Sequence, residues 1–358
     1  VYLHGIVRDR LRRKMSKSLG NSPDPLDLIE RYGADAVRMG IVMSAPAGND
    51  LLFDESLCAQ GQNFCNKLWN SFRLLKLWRE KAANGAPTAF QEKAYQWFDC
   101  YLRSLHGEVA ELIAEYRFYE AMHTLYRGVW DAFCNTYLEA LKPGPSAELL
   151  EKVEAQALHI LHLLHPFMPY ITEALWHEMT GVSVERSLSW ERLKGIEPLT
   201  AEEKEYLERV AYAQEIVRKL RGLMHSFAGL EQLRVRVVTQ RLAWVKEAET
   251  WARHFLPVAD WIKSEVAQGK GFRFLVGPDL YEVEVKGDAS MWRALREKLE
   301  KELMHVERFL AEIEARLGNE KFLSRASAEV IARERKKHQD TQERLRLLRE
   351  QLQLLSEV

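Results

Sequence analysis

Between residues 55 and 179, apolar side chains recur at the three- and four-residue spacing of amphipathic helices, in long runs separated only by short breakers. That pattern confines the middle of the chain to a bundle of four or five antiparallel helices. Asp54 can cap a helix over 55–81 whose apolar stripe includes Leu57, Phe64, Leu68, Phe72 and Leu75, and Asn84-Gly85-Ala86-Pro87 ends it. Further helices are expected over 90–116, 119–141 and 147–165, with Lys142-Pro143-Gly144-Pro145 as a break and a resumption over 171–179.

From about Thr200 the pattern changes to a charged helix reaching Gly222, then the alternating strand signal Leu233 to Val238. A helix over 242–255 and strands over 271–276 and 280–285, joined at Gly277-Pro278-Asp279, make a small α/β module. The last seventy residues show heptad spacing on two arms. Trp292, Leu295, Leu299, Val306 and Ile313 line the first, and Thr341, Leu345, Leu348, Leu352 and Leu355 the second. An antiparallel coiled-coil hairpin is expected, turning near Gly318-Asn319. The domains fall at 1–50, 51–199, 200–287 and 288–358.

Near the N-terminus, Lys14-Met15-Ser16-Lys17-Ser18-Leu19-Gly20-Asn21 follows an extended apolar run over 1–7. Two ammonium groups, two hydroxyls and free backbone N–H groups suit a mobile clamp for polyphosphate. A helix starts directly after it, with Asp24 as N-cap, Pro25 in the first position, Asp27 in the first turn and Gly33 at the end. A βα piece this short cannot complete a sheet, so further strands are expected upstream in a longer protein. Arg8, Arg10, Arg12 and Arg13 add positive charge that would either steer ATP or an RNA stem toward the loop or stand as solvated surface charge.

The formal net charge of −1 excludes nonspecific coating of nucleic acid and requires any RNA contact to be patchwise. No run of about 18 apolar residues is present to cross a bilayer, and a cytoplasmic location is expected. Cys58, Cys65, Cys100 and Cys134 contain no Cys-x-x-Cys pair, which favours buried free thiols over a metal site. His159, His162 and His165 are spread around a helix and read as packing or capping, and Trp130, Phe133, Tyr170 and Trp176 read as bundle core.

On the helix over 55–81, Asn63, Lys67, Asn70 and Leu74 share one face, with Asn66 and Arg73 adjoining it. Amide and guanidinium groups match the edges of splayed bases, and an aliphatic platform can stack beneath one. Bridging of helices by the asparagines is the alternative. The terminal hairpin carries nine Lys or Arg against four acids over 321–349, among them Arg333, Arg335, Lys336 and Lys337, a pattern suited to RNA phosphates or to ordinary coiled-coil flanks.

With these residues the chain resembles the C-terminal part of the bacterial valyl-tRNA synthetases, a class I aminoacyl-tRNA synthetase family. The match rests on 14–21, Gly33-Ala34-Asp35-Ala36-Val37-Arg38, Gly48-Asn49-Asp50, Asn63-Phe64-Cys65-Asn66-Lys67-Leu68-Trp69-Asn70, Tyr116-Arg117-Phe118 and Tyr137-Leu138-Glu139-Ala140. His165-Pro166-Phe167-Met168-Pro169-Tyr170-Ile171-Thr172-Glu173 and Asn319-Glu320-Lys321-Phe322 complete it. The loop is shared across class I synthetases, and the block at 63–70 points to valine.

The resemblance implies the tail of a Rossmann-type catalytic domain, a helical anticodon-binding bundle, a linking module and a coiled-coil tRNA-binding arm. It implies ATP, with Mg, as substrate, valine bound by upstream parts, the valine tRNA as partner, a monomer and no metal site in this stretch. Lys14 and Lys17 would be catalytic, within an ATP-binding set of Lys14, Met15, Ser16, Lys17 and Ser18. Anticodon contacts would fall at Lys67, Asn70, Arg73 and Leu74, faced by Leu138 and Glu139, with Arg333, Arg335, Lys336 and Lys337 on the tRNA backbone. Leu74 stands where the family often has an aromatic. No His-Ile-Gly-His motif and no editing domain occur here, so the stretch alone should not aminoacylate. An isoleucyl- or leucyl-type fragment and a noncatalytic RNA-binding protein are the competing readings.

Overall fold

A computed structural model describes residues 5–45, 50–82, 84–193, 195–226, 233–239, 241–264, 272–285, 289–319 and 328–356. The chain is mainly α and divides into two compact units, Val1–Glu208 and Arg209–Val358.

The first unit opens with strand β1 (Val7–Arg8), helices α1 (Pro25–Tyr32) and α2 (Ala34–Val42), and strand β2 (Leu51–Leu52). β1 finds its partner downstream, pairing in parallel with β2. Gly48 and Asn49 of the family block, and residues 1–4 of the apolar run, lie outside the described residues. The Asp24 carboxylate accepts from Leu26 N at 2.8 Å, with Pro25 at the first helical position.

The bundle comprises α3 (Glu55–Lys81), α4 (Ala89–Ala114), α5 (Phe118–Arg127), a π-helical stretch (Gly128–Tyr137), α6 (Leu138–Ala140), α7 (Ala147–Leu164) and α8 (Pro169–Thr180). Asp54 caps α3, and Thr88 with Gln91 forms a capping box on α4. The third helix therefore differs from expectation: it is continuous in direction but widens to π geometry over ten residues. The wider turn keeps Val129, Phe133, Cys134, Tyr137 and Leu138 all buried. Phe98 stacks on Tyr137 at 4.2 Å, and the Tyr137 hydroxyl donates to Gln156 Oε1 at 2.7 Å.

Two sequence blocks explain one another across this unit. Asp35 of α2 accepts from Tyr170 N at 3.3 Å and Ile171 N at 2.6 Å, satisfying orphan donors at the start of α8. Arg38 donates to the carbonyls of Phe167 and Pro166 at 3.0 and 3.1 Å. Burial of Asp35 raises its pKa despite those bonds. Phe133 and Trp176 are core as expected, whereas Tyr170 is 67% exposed. Its backbone, rather than its ring, makes the contact to α2.

Helix α9 (Ala201–Ser226) runs across the division between the units. The second unit contains β3 (Leu233–Val238), α10 (Leu242–Phe255), β4 (Val258–Ser264), β5 (Phe272–Val276) and β6 (Asp279–Val285), in sheet order β4-β3-β6-β5. β3 and β4 are parallel, joined through α10, and the other pairs are antiparallel. The turn at Gly277-Pro278 forms, with Gly277 at φ +56°. β4 was not foreseen in the sequence. It is an edge strand with only Val258 fully buried, so it carries no alternation to read.

Helices α11 (Ala289–Leu317) and α12 (Ala328–Ser356) form the terminal hairpin. Pairs Glu302–Arg344 and Arg316–Glu334 set their antiparallel sense. Leu299, Val306, Ile313, Thr341, Leu345 and Leu348 are buried along the seam. The side chains of Trp292, Leu295 and Leu355, and residues 320–327, lie outside what the structure describes.

Candidate phosphate loop and RNA-binding face

Lys14 and Lys17 are both exposed, on a loop that is held from beneath. Ser16 caps a single 3-10 turn (Lys17–Leu19), its hydroxyl accepting from Leu19 N at 3.3 Å and lying 3.2 Å from Ser18 Oγ. Gly20 ends the turn at φ +64°, the left-handed region that favours glycine. The hydroxyls thus shape the loop, while the ammonium groups, exposed and without a partner among the described residues, can meet a ligand.

The supports are Asp9 and Asn21, which the sequence reading did not assign. Asn21 accepts from Ser16 N at 3.0 Å and donates to Lys14 O at 3.2 Å and to Asp9 Oδ2 at 3.0 Å. Asp9 also accepts from Leu11 N, Arg13 N and Arg13 Nε. The bond from Asn21, aided by Arg13, holds the Asp9 carboxyl down to about 2. A signal was present, since Asn21 closes the motif, but nothing local shows that it bridges back to Asp9.

The four nearby arginines are mostly committed. Arg8 pairs with Asp50, Arg10 with Asp54, and Arg13 with Asp9 at 2.7 Å. Those ion pairs remove three of the four expected steering charges, leaving exposed Arg12.

On α3 the asparagines do not bridge helices: Asn63, Asn66 and Asn70 are exposed, as is Arg73. Lys67 is half-buried, its Nζ 5.7 Å from the centre of the Trp130 ring, and Leu74 is half-buried as well. Ser71 Oγ lies 3.1 Å from Cys134 Sγ, and one turn further along each helix come Leu74 and Leu138. Glu139 is exposed and bridged to Lys142 at 2.8 Å. Leu138, in contrast, is only 2% exposed. Its side chain supports the face from within the core and cannot touch a base, which corrects its assignment as a contact.

Cys58, Cys100 and Cys134 are buried and Cys65 partly so, all as free thiols. Burial pushes the Cys65 thiol up to about 12 and Cys134 to about 11, which makes both inert at neutral pH. His159 lies 3.0 Å from His106, ring nitrogen to ring nitrogen, inside the bundle. Among the described residues no group of three or more His, Cys, Asp or Glu side chains converges to hold a metal.

On α12, Arg335 and Lys336 are exposed, Lys337 bridges Glu334 at 2.7 Å, and Arg344 and Arg349 pair with Glu302 and Glu307. The side chain of Arg333 is outside the described set. Two of the nine basic residues over 321–349, Arg344 and Arg349, are thus matched by acids of the facing helix.

Residues 1–54 match the family of class I tRNA synthetases (I, L, M and V), 95–236 the anticodon-binding domain of tRNA ligase, and 293–356 the valyl tRNA synthetase tRNA binding arm. A valine–tRNA ligase of Bacteroides fragilis is 40% identical over 100% of this chain and 41% of its own length. One from Phocaeicola vulgatus is 38% identical over 99% of this chain and 40% of its own. This chain is similar to the valine–tRNA ligases over its whole length. It aligns with the C-terminal portion of these synthetases and spans about two fifths of the length of the curated relatives it matches. A crystal structure of an Agrobacterium radiobacter K84 LeuRS–tRNA–LeuAMS ternary complex overlaps 57% of this chain and 24% of its own at a TM-score of 0.43 and 22% identity. The loop at 14–21 lies in the segment that matches the class I tRNA synthetases, and the hairpin in the segment that matches the tRNA binding arm.

Proposed function

We propose that the chain works as the C-terminal part of a valine–tRNA ligase, which joins valine to ATP as an adenylate and passes it to the valine tRNA. The observation that carries this reading is the pair of exposed lysines on a loop fastened by Asp9 and Asn21, in a chain 40% identical end to end to a valine–tRNA ligase.

When the valine carboxylate attacks the α-phosphorus, negative charge gathers on the departing pyrophosphate. Lys17, assisted by Lys14, meets that charge more strongly in the transition state than in the ground state, which raises the rate rather than the affinity. Magnesium enters with the nucleotide as part of the substrate. Lys67, Asn70, Arg73, Leu74 and Glu139 form the face that reads the anticodon, and Arg335, Lys336 and Lys337, with Arg333, hold tRNA phosphates. The valine pocket and the adenine site belong to upstream sequence, so this stretch alone is inactive. The working protein is a cytoplasmic monomer.

In the full-length ligase, Lys17→Ala should depress ATP–pyrophosphate exchange by about two to three orders of magnitude, with valine binding near normal. Exchange at the unaltered rate would remove the catalytic assignment.

A further inference from the structure

The turn that leads into the phosphate loop holds an arginine in a conformation that side chains rarely adopt. β1 and the start of the loop form a tight hairpin, in which Met15 N donates to Val7 O at 3.0 Å, Asp9 N to Arg13 O at 2.9 Å and Arg12 N to Asp9 O at 2.8 Å. Arg10, Leu11 and Arg12 make its tip, and Arg12 has φ +60°. A hairpin tip of this length ends in a left-handed residue, a place that glycine fills without steric cost and a side chain fills with strain. Elsewhere among the described residues the chain gives positive-φ positions to Gly20, Gly33, Gly181 and Gly277, and departs only at Tyr116. An arginine at this tip needs a reason.

Folding supplies none. The Arg12 side chain is exposed and enters no ion pair among the described residues, whereas Arg8, Arg10 and Arg13 are matched by Asp50, Asp54 and Asp9. Its carbonyl accepts from Arg8 Nη1 at 3.1 Å, a bond that any residue at this position would make. Placement does supply one. Lys14 follows two residues along the same arm, within about 7 Å, and bridges to Arg8 across the hairpin. Asp9 accepts from Leu11 N at 3.0 Å and Arg13 N at 2.9 Å, the amides on either side of Arg12, and Asn21 ties that same carboxylate to Lys14 O. One support therefore fixes Arg12 and Lys14 together, and the arginine set into it is the one whose charge is left uncompensated.

We propose that Arg12 is a third cation of the phosphate clamp, its guanidinium meeting phosphate oxygens of the ATP held by Lys14 and Lys17. A planar fork can grip two oxygens of one phosphate, which an ammonium does not. The left-handed turn gives up some stability and sets the base of that fork beside Lys14. The proposal rests on the ligase reading above.

In the full-length ligase, two variants separate charge from strain. Arg12→Gly removes the charge and relaxes the turn, and Arg12→Gln removes the charge and keeps the strain. Both should raise KM for ATP in ATP–pyrophosphate exchange by about three- to tenfold with KM for valine unchanged, and Arg12→Gly should melt no lower than the parent enzyme. If Lys17→Ala cuts exchange while both Arg12 variants keep the parental KM for ATP, Arg12 lies outside the clamp and the ligase reading stands. A rise confined to KM for tRNA in aminoacylation would overturn the proposal in favour of an RNA phosphate. A lower melting temperature for Arg12→Gly would overturn it in favour of a structural role. If Lys17→Ala too exchanges at the parental rate, the clamp itself fails and both readings fall.

Discussion

At the scale of single residues, the lysines of the loop matter less for where they are than for what keeps them there. Neither ammonium is tied down among the described residues, yet the backbone beneath them is fixed by Asn21, which touches Ser16, Lys14 and Asp9 at once. Asn21→Ala should therefore slow ATP–pyrophosphate exchange in the full-length ligase by about ten- to hundredfold through loss of positioning, less than Lys17→Ala and without altering valine affinity. An equal loss of valine binding would show that the substitution unfolds the region. The support is also proof against ordinary pH changes. Because the Asp9 carboxyl is depressed from 3.8 to about 2, its contribution is complete above pH 3.8 and fades only as pH falls toward 2. A profile of exchange against pH above 5 should carry no step from Asp9.

At the scale of elements, the contacts between helices set the testable energetics. Gly61 on α3 is where α2 crosses, and a Cβ there would stand 2.7 Å from Ala36 O and 2.8 Å from Ala36 Cα. Backbone atoms cannot step aside as a side-chain tip would, so Gly61→Ala should cost about 1–3 kcal/mol despite the better helix propensity of alanine, read as a lower melting temperature. A second prediction concerns His159, whose pKa burial lowers from 6.5 to about 4, with His106 and His162 adding repulsion. The unfolded chain takes up that proton below 6.5 and the folded bundle does not, so stability should fall as pH drops from 6.5 to 4 and level off beneath. His159→Leu should flatten this slope in urea unfolding followed by tryptophan fluorescence; an unchanged slope would place its origin elsewhere. The long helices were legible because each buries one stripe, as Phe64, Leu68, Phe72 and Leu75 do. The π-helical stretch was not, since its residues suit an α-helix equally well and only packing against α3, α4 and α7 selects the wider turn. The Leu138 assignment failed for a related reason: position along a helix was readable, but which way the widened turn pointed the side chain was not.

At the scale of the whole molecule, a chain of net charge −1 is proposed to grip two polyanions, which requires its charges to be sorted by place. Counting basic residues over the last helix overstates that sorting, because Arg344 and Arg349 are matched by Glu302 and Glu307 on α11. Those pairs hold the hairpin together and have less charge to offer a phosphate. Arg335 and Lys336 remain exposed on the same arm. Each phosphate neutralised by such a cation releases counterions and steepens the fall of binding with salt by a little under one unit of slope. Replacing Arg335 and Lys336 together by alanine should therefore lower the slope of log K against log salt by about 1–2 for tRNA binding, leaving discrimination among anticodon-substituted tRNAs intact. Replacing Arg344 and Arg349 should loosen the hairpin, seen as lost helicity on heating, with a smaller change in slope. If the slope tracks the second pair and ignores the first, the phosphate-facing side of the arm is the seam with α11 and not the exposed side of α12.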